Sequence, residues 1–378
     1  MSYDAIVVGL GAHGSAAAAA LGRRGLRVLG LERFGRGEAH GSSGGWSRMI
    51  RIAHYEDPSL APLAEASWDR WLDLGDEVGT TLLRETGGLY GGPPGHAVLE
   101  GSRAGAAEHV VAFEELDAAE IHRRWPIFRL ADDTTAIFET KAGVLHADRA
   151  NAAHLEIAER AGADLRFGRR VVDWRPAAGG GFEVEDADGS VVGGDHLVLA
   201  PGPWIGELVP DLRLPLQVER ECPSWFTPTV DPSSVGADRM PIWVLEEQGT
   251  AYYGVPHDPE IGLKVSIHHW GTFGDPDEID RVVGDAEIER IRAWMRIRMP
   301  EANGPLAHAR VCLYTNTPDG DFILDTHPVA PGVAFASACS GHGFKFAPVI
   351  GEALADLALT GTSPLPIDQF RAGRLMAG

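Results

Sequence analysis

The amino-acid sequence predicts an α/β protein with two domains, one that binds a dinucleotide and one built around a mostly antiparallel sheet. Residues 3–33 run from an apolar strand through a glycine turn and an alanine-rich helix to a second strand, which is the order of a βαβ unit. Residues 214–316 are instead rich in β-type and aromatic side chains and contain one clear helix, which favours an α+β domain.

The composition is that of an acidic globular protein. Its 378 residues are 44% hydrophobic and 23% charged, and the apolar runs fall short of the roughly 18 residues that a membrane span needs. The formal net charge, 33 − 54 = −21, disfavours nucleic acid or an anionic membrane as a partner. Three scattered cysteines are too few for a disulfide framework or a metal site. Because no signal peptide precedes the first strand, we expect a cytoplasmic protein.

The βαβ unit has the pattern of a Rossmann-like nucleotide site. Strands predicted over 3–8 and 26–31 flank a helix predicted over 15–24. The turn after the first strand carries three spaced glycines, Gly9, Gly11 and Gly14. Such glycines let the backbone approach a pyrophosphate at the helix N-terminus. Glu32 ends the second strand, where its carboxylate would accept hydrogen bonds from ribose hydroxyls. The motif predicts a dinucleotide without separating FAD from NAD.

Later segments extend both domains. Helices are predicted over 56–76, 150–161, 285–299 and 348–359, and short strands over 164–167, 170–174, 182–186, 196–200 and 333–336. This alternation predicts a dinucleotide domain assembled from residues 1–80, 145–213 and 318–378. Residues 81–144 and 214–317 would form the substrate domain.

A loop rich in glycine and serine leads into two arginines. Ser42 and Ser43 lie in the loop, and Arg48 and Arg51 follow three residues apart. On a helix, that spacing would place both guanidinium groups on one face, as a clamp for a carboxylate. The alternative is a solvated basic face, which the tryptophan, methionine and isoleucine neighbours disfavour.

A predicted hairpin places titratable side chains on one strand face. Within residues 262–268, Lys264, Ser266 and His268 alternate with apolar side chains. An exposed polar face is the plain interpretation. Beside a redox cofactor, however, the lysine and histidine would provide a positive charge and a titratable group. Considered alone, a cysteine such as Cys312 is most often a small residue of the hydrophobic core.

Together these segments resemble the monomeric sarcosine oxidase family, which includes N-methyltryptophan oxidase and pipecolate oxidase. The resemblance spans nearly the whole chain and rests on the glycine motif, the stretch Ser47–Arg51, and residues 251–254, 262–264, 312–315, 321–325 and 340–346. It implies an FAD-binding domain of the glutathione-reductase/D-amino-acid-oxidase type. The implied reaction oxidises a secondary amine, an N-methyl or cyclic amino acid, to an imine that hydrolyses, while O2 is reduced to H2O2. The family precedent is a monomer.

The resemblance also implies residue roles at the flavin. Cys312 matches the cysteine that carries FAD through a thioether, and Arg48 and Lys264 match basic residues that flank the flavin ring. Lys264 also matches the group that activates oxygen. Ser42, Ser43, Gly343 and Lys345 complete the cofactor-binding residues expected from the sequence.

For the substrate, the resemblance implies a carboxylate site and a cavity wall. Arg51 and Lys345 match the pair that binds the substrate carboxylate, and Gly341 matches a residue whose carbonyl contacts the amine. Tyr253, His268 and Tyr314 match residues that line the substrate cavity.

The chain departs from the family pattern near the expected flavin. Better-known members carry histidines where this chain has Ser43 and Gly44, and a small acid where it has Trp46, so the preferred amine and the covalent link stay open. Three alternatives are a flavin-dependent amine dehydrogenase with another electron acceptor, a nicotinamide-dependent dehydrogenase and a non-enzymatic flavin-binding protein. Lys264 disfavours the first. A nicotinamide-dependent dehydrogenase leaves Cys312 and the glycine motif at residues 340–346 unexplained. A non-enzymatic protein leaves unexplained the four basic residues Arg48, Arg51, Lys264 and Lys345.

Overall fold

The structure is a computed structural model that describes residues 2–38 and 40–376, so residues 1, 39, 377 and 378 of the predicted dinucleotide segments lie outside it. The helices are α1 (Ala12–Arg23), α2 (Ala61–Val78), α3 (Ala97–Glu108), α4 (Ala118–Arg124), α5 (Ala147–Arg160), α6 (Ile205–Leu208), α7 (Asp285–Arg298), α8 (Ala347–Thr360) and α9 (Gly373–Met376).

The strands up to residue 199 are β1 (Tyr3–Val8), β2 (Val28–Leu31), β3 (Ser47–Arg51), β4 (Leu83–Glu85), β5 (Gly88–Gly92), β6 (Phe113–Asp117), β7 (Thr135–Glu139), β8 (Ala142–His146), β9 (Asp164–Arg166), β10 (Val171–Pro176), β11 (Phe182–Asp186) and β12 (Val191–Leu199). The later strands are β13 (Gln217–Glu221), β14 (Ser224–Phe226), β15 (Ile242–Glu247), β16 (Thr250–Asp258), β17 (Gly262–His268), β18 (Thr272–Phe273), β19 (Leu306–Ala309), β20 (Cys312–Asn316), β21 (Ile323–Thr326) and β22 (Val333–Ser337).

The predicted βαβ unit forms the centre of an eight-stranded sheet. Its strand order is β10-β11-β12-β1-β2-β9, and β22 pairs with β12 and β21. Strands β9, β2, β1, β12 and β22 run parallel, so their carboxyl ends meet at one edge. In open α/β sheets, ligands bind in the crevice outside this edge. The predicted fold class is therefore confirmed.

Helices α1 and α8 cover one face of this sheet, and α5 packs beside α1. The alanine-rich α1 allows close approach: a Cβ placed on Gly351 of α8 would lie 2.4 Å from the Ala16 Cβ. The helix predicted over 56–76 begins later, at Ala61, because Asp57 accepts a hydrogen bond from the Ser59 amide and opens a short 3-10 turn.

A second eight-stranded sheet lies in the other part of the chain. Its order is β19-β14-β17-β16-β15-β5-β7-β6, antiparallel throughout except where β15 and β5 pair in parallel. Helix α7 packs on it through Trp294, whose ring stacks 4.4 Å from Tyr252 and 5.5 Å from Trp243, measured between centroids. The predicted hairpin is β16–β17, antiparallel as expected.

Two three-stranded sheets, β3-β8-β4 and β18-β13-β20, bring further strands to the junction. Here one prediction is wrong: Arg48 and Arg51 lie on the strand β3, not on a helix. Antiparallel pairing with β8, from Ser47 opposite His146 to Arg51 opposite Ala142, holds this segment extended. Residues three apart on a strand point to opposite faces, so the two guanidinium groups do not form one clamp. Within the described ranges, no helix is long and apolar enough to cross a membrane.

Candidate active site

Two adjoining cavities lie where the parallel sheet meets the smaller sheets. We call the first the nucleotide cavity, because it lies at the carboxyl ends of β1, β2, β12 and β22. The second, which we call the substrate cavity, lies between β3, β13, β16, β17, β20 and the turn before α8. Ser42, Cys339 and Phe344 line both cavities, so the two are continuous.

The glycine turn shapes the nucleotide cavity. Gly9 has φ +85°, and a Cβ there would lie 2.5 Å from the Ala200 carbonyl oxygen. A Cβ on Gly14 would lie 1.8 Å from the Gly9 carbonyl oxygen, so a side chain would break the turn. Gly9 and Gly11 line the cavity, whereas Gly14 packs under the turn and lines neither cavity.

Polar groups at this end are oriented by the backbone. Glu32 accepts hydrogen bonds from the Leu10 amide at 2.7 Å and the Phe34 amide at 3.1 Å, and burial raises the pKa of its carboxyl. The Ser43 hydroxyl accepts from the Ala12 amide at 2.8 Å and so caps α1. Glu32 and Ser43, two of the predicted cofactor-binding residues, both line the nucleotide cavity.

Three buried hydroxyl groups give this cavity unmet hydrogen-bonding capacity. The oxygens of Ser42, Thr315 and Ser337 have no hydrogen-bond partner among the described residues, and all three side chains line the nucleotide cavity. Buried polar groups in proteins are nearly always paired, so a polar ligand is expected here. With the glycine turn and Glu32, these residues fit FAD.

Every predicted catalytic and substrate-binding residue lines the substrate cavity. The set is Arg48, Arg51, Tyr253, Lys264, His268, Tyr314, Gly341 and Lys345. Of the predicted cofactor-binding residues, Cys312 and Gly343 line it as well. Trp46 lies outside both cavities and packs between Trp225 and Arg310, so it does not form the cavity wall.

Lys264 is buried without a carboxylate partner in the described structure. Its Nζ donates to the Ser47 carbonyl oxygen at 3.3 Å and faces the rings of Trp225 and Tyr253 at 5.3 and 5.1 Å. Burial, and then the positive charge of Arg48, lower its pKa to about 7. Lys264 is therefore poised between its charged and neutral forms near neutral pH.

Arg48 connects the loop to Cys312. Its Nη2 donates to the carbonyl oxygens of Ser42 at 3.0 Å and Gly44 at 2.6 Å, and lies 3.5 Å from the Cys312 Sγ. One guanidinium thus bridges the Ser42–Gly44 loop and the Cys312 thiol at the cavity wall.

Arg51 and Lys345 form the cationic end of the cavity. Arg51 makes a two-pronged ion pair with Glu56, including one contact of 2.6 Å, and donates to the Ala53 carbonyl oxygen at 3.0 Å. Burial alone would raise the pKa of Glu56, but the Arg51 guanidinium holds it well below its usual range. The Lys345 Nζ donates to the His342 carbonyl oxygen at 2.7 Å, and burial together with Arg51 lowers its pKa to about 7.

His268 and Tyr314 form an uncharged part of the cavity wall. Burial lowers the pKa of His268 to about 3, and its Nδ1 lies 3.3 Å from the Tyr314 hydroxyl. Gly341 has φ +76°, and a Cβ there would lie 2.7 Å from the His268 ring and 2.8 Å from the Tyr314 ring. Glycine therefore keeps the space between these rings open.

Sequence reasoning missed two acids of this cavity, Glu56 and Glu221. Glu56 lies five residues after Arg51, so its proximity in sequence was a usable signal. Glu221 reaches the cavity only because β13 pairs with β20, a long-range contact that no local pattern indicates.

Comparison with known proteins agrees with the geometry. Residues 4–357 match the family model of the FAD-dependent oxidoreductases. Over its full length the chain is 39% identical to monomeric sarcosine oxidase of Streptomyces avermitilis, of which 98% is covered. The chain belongs to the monomeric sarcosine oxidase family of FAD-dependent oxidoreductases.

Other members of the sarcosine oxidase family also align along nearly the whole chain. Human peroxisomal sarcosine oxidase is 33% identical, covering 98% of this chain and 96% of that protein. N-methyl-L-tryptophan oxidase of Salmonella dublin is 32% identical, covering 99% of each. Among solved structures, NikD, described as an unusual amino acid oxidase essential for nikkomycin biosynthesis, has a TM-score of 0.86 at 26% identity and covers 98% of this chain and 97% of its own. The fold and the FAD-dependent oxidoreductase class predicted from the sequence are thus confirmed.

Proposed function

We propose that this protein oxidises a secondary amine that carries a carboxylate, an N-methyl or cyclic amino acid, and that O2 is the electron acceptor and is reduced to H2O2. The observation that carries the proposal is the pair of buried basic side chains Arg51 and Lys345, which line the substrate cavity together with the uncharged ring of His268. A carboxylate is the natural ligand of such a pair.

The residues divide the work between binding and orientation. Arg51 and Lys345 hold the substrate carboxylate, while His268, Tyr253 and Tyr314 exclude water and limit the positions of the amine. Because burial keeps His268 uncharged, its ring does not repel a substrate ammonium. The chemistry that FAD supplies when bound is acceptance of a hydride equivalent from the carbon next to nitrogen and delivery of the electrons to O2.

Lys264 is proposed as the group that favours reaction with O2. In its charged form, Lys264 places an ammonium in the buried cavity wall, where the ammonium stabilises the negative charge that develops on O2 as it is reduced. This role separates the proposal from an amine dehydrogenase that uses another electron acceptor.

Cys312 is proposed to hold the flavin covalently. Its Sγ lies at the cavity wall, 3.5 Å from the Arg48 guanidinium. Acid precipitation of the purified protein should leave a yellow pellet, and Cys312→Ser should release the flavin into the supernatant. Cys339→Ser is the matched control, because Cys339 lines both cavities and should keep the yellow pellet. Flavin that acid removes equally from wild type would contradict the covalent link.

The experiment that tests the reaction is anaerobic bleaching of the bound flavin. Sarcosine, N-methyltryptophan, proline and pipecolate should be compared, each beside its decarboxylated analogue. We expect at least one of these amino acids to bleach the yellow colour of the oxidised flavin, and its decarboxylated analogue to leave the colour unchanged. Air should then restore the colour with release of H2O2. Slow recovery in air, with rapid recovery on adding a dye, would favour the dehydrogenase instead.

We further propose that the enzyme is a monomer, as the family precedent implies. Light scattering coupled to size-exclusion chromatography should give a mass close to the 40.5 kDa of one chain. The cytoplasmic location stays a prediction from the sequence.

A further inference from the structure

Two buried carboxyl groups stand beside the substrate cavity on strand β13. Glu221 lines the cavity and is 3% exposed, and Glu219 is 2% exposed. As alternate residues of one strand, they point to the same face. Across the pairing with β20, Glu219 lies opposite Tyr314 and Glu221 lies opposite Cys312. The two carboxyl groups therefore belong to the same wall as the predicted site residues.

The backbone brings the two carboxyl groups together. The Gly271 amide donates to an oxygen of Glu219 at 3.1 Å and to an oxygen of Glu221 at 3.2 Å, and the Trp270 amide donates to Glu221 at 2.9 Å. Two carboxylates that share one amide repel each other when both are ionised, so such a pair retains a proton. Burial and the charge of Glu219 raise the pKa of Glu221, while hydrogen bonds from His269 and Asn316 lower that of Glu219 despite its burial.

The pair continues outward to the surface. The Glu219 Oε2 lies 2.9 Å from the His269 Nδ1, and the side chain of His269 is 43% exposed. Asn316 donates to the same oxygen at 2.7 Å and fixes the carboxylate in place. The three groups thus run from the cavity wall to solvent: Glu221 and Glu219 accept from the same Gly271 amide, and Glu219 contacts the exposed His269.

The proposed reaction needs such a route. An amino acid with a secondary amine is mostly an ammonium at neutral pH, and its nitrogen must lose a proton before the lone pair is available. The other titratable or charged groups that line this cavity are Arg48, Arg51, Tyr55, Glu56, Tyr253, Lys264, His268, Cys312, Tyr314, Cys339, His342 and Lys345. Among the described residues of this wall, only Glu221 shares a backbone amide with a second carboxylate that in turn contacts an exposed imidazole.

We propose that Glu221, Glu219 and His269 form a proton path that carries the ammonium proton of the bound amine from the substrate cavity to solvent. This inference rests on the proposed function. The substrate nitrogen loses one proton to Glu221 as Glu221 passes its own to Glu219. Glu219 then passes a proton to the His269 ring, and the ring releases a proton to water. The three groups recover their starting charge, and no electrons move in these steps.

The test is the pH profile of anaerobic flavin reduction by the best amine in holoenzyme of wild type and Glu221→Gln. Glutamine keeps the shape and cannot carry the proton, so the variant must bind amine that is already neutral. For an ammonium pKa near 10, similar to that of lysine, about 1% is neutral at pH 8. We therefore expect the rate of flavin reduction by Glu221→Gln, at a fixed amine concentration, to be about 100-fold below that of wild type at pH 8 and to recover towards pH 10.

A second variant tests the exposed end of the path. His269→Gln should give a smaller loss at neutral pH, and added imidazole should restore its rate because the site is open to solvent. Imidazole should not rescue Glu221→Gln. His257→Gln is the matched control, since His257 is a half-buried histidine that lines neither cavity.

An infrared difference titration of the wild type without amine gives a readout besides activity. The protonated-carboxyl band at neutral pH should lose the intensity of one carboxyl in Glu221→Gln, because burial also raises the pKa of Glu139, to about 7. A band of unchanged intensity in that variant would overturn the path, as would overlapping pH profiles of wild type and variants. If no amine reduces wild-type flavin, the proposed function fails, and the path fails with it. Reduction with overlapping profiles removes the path alone.

Discussion

The ion pair between Arg51 and Glu56 places a carboxylate of the protein on the proposed site for the carboxylate of the substrate. The perturbation that examines this arrangement is Glu56→Gln, which keeps the side-chain shape and removes the charge. In wild type, a substrate carboxylate must displace Glu56 from Arg51 or share the guanidinium with it. In the variant that competition is gone, so binding of carboxylate ligands should strengthen while the free protein loses stability.

The size of both effects follows from the contacts. Breaking a buried ion pair by removing one partner costs about 3–5 kcal/mol. The lower end applies here, because Arg51 keeps the Ala53 carbonyl at 3.0 Å and the Tyr55 ring at 4.5 Å from its guanidinium carbon. A hydrogen bond to a charged group contributes about 1.5–3 kcal/mol, so the Kd of a carboxylate ligand should fall by about 10- to 150-fold.

The assay combines ligand titration with thermal unfolding at pH 7. Acetate derivatives that resemble the substrate but lack an oxidisable amine should perturb the flavin spectrum and report Kd directly. The pKa of Glu56 lies below its ordinary value of 4.5 in the folded protein, so its stabilising contribution is complete above pH 4.5 and is lost as pH falls through the folded-state pKa. Measurements at pH 7 therefore include the whole effect, and saturating ligand should recover stability in the variant.

Glu352→Gln is the control for loss of an ion pair. Glu352 pairs with Arg70 on the surface, with both side chains about one-third exposed, 36% and 33%. Exposed pairs contribute about 0–1 kcal/mol, so this variant should change neither Kd nor stability appreciably. A Kd for Glu56→Gln equal to or above that of wild type, in a protein with an unchanged flavin spectrum, would contradict competition between Glu56 and the substrate for Arg51 and place the carboxylate elsewhere.

Three further outcomes are expected. Lys264→Met should slow reoxidation of reduced flavin by about 100-fold with little effect on flavin reduction. In wild type, the rate constant for reaction with O2 should fall as pH rises through about 7, where Lys264 loses its charge. Stopped-flow reoxidation rates that do not change with pH would contradict this role. Gly14→Ala should yield colourless protein, because its Cβ would lie 1.8 Å from the Gly9 oxygen; a normal flavin content would show that the turn adapts. Lys345→Met should raise the substrate Kd by about 10-fold or more, whereas equal affinity would remove Lys345 from the carboxylate site.

The local part of this architecture was predictable from the sequence, because it depends on short-range patterns. The strand, turn and helix around Gly9 and Gly14 need only apolar runs and spaced glycines. Alternation along β17 correctly placed Lys264 and His268 on one face, with the apolar side chains in the core. Resemblance to a family then brought together residues as distant as Arg48 and Lys345, which spacing alone does not join.

The rest depends on contacts between distant segments. The stretch around Arg48 is extended because β8 pairs with it, and that pairing lies almost 100 residues away, from Ser47 to His146. Glu221 enters the cavity through the pairing of β13 with β20, and its partner Glu219 is oriented by amides of the turn after β17. Neither the register of a sheet nor the shared amide of Gly271 leaves a mark in the local sequence.

The packing of α1 against α8 has a consequence for synthesis of the protein in the cell. The Ala16 surface of the first helix is covered by Gly351, and the central strand β12 gains one neighbour only when β22 has been made. The nascent chain therefore leaves the ribosome with its nucleotide-binding half incomplete until its last helices emerge. Such long-range closure is slow and leaves apolar surface exposed meanwhile. Until these segments pack, the exposed apolar face of α1 is a surface that chaperones can bind.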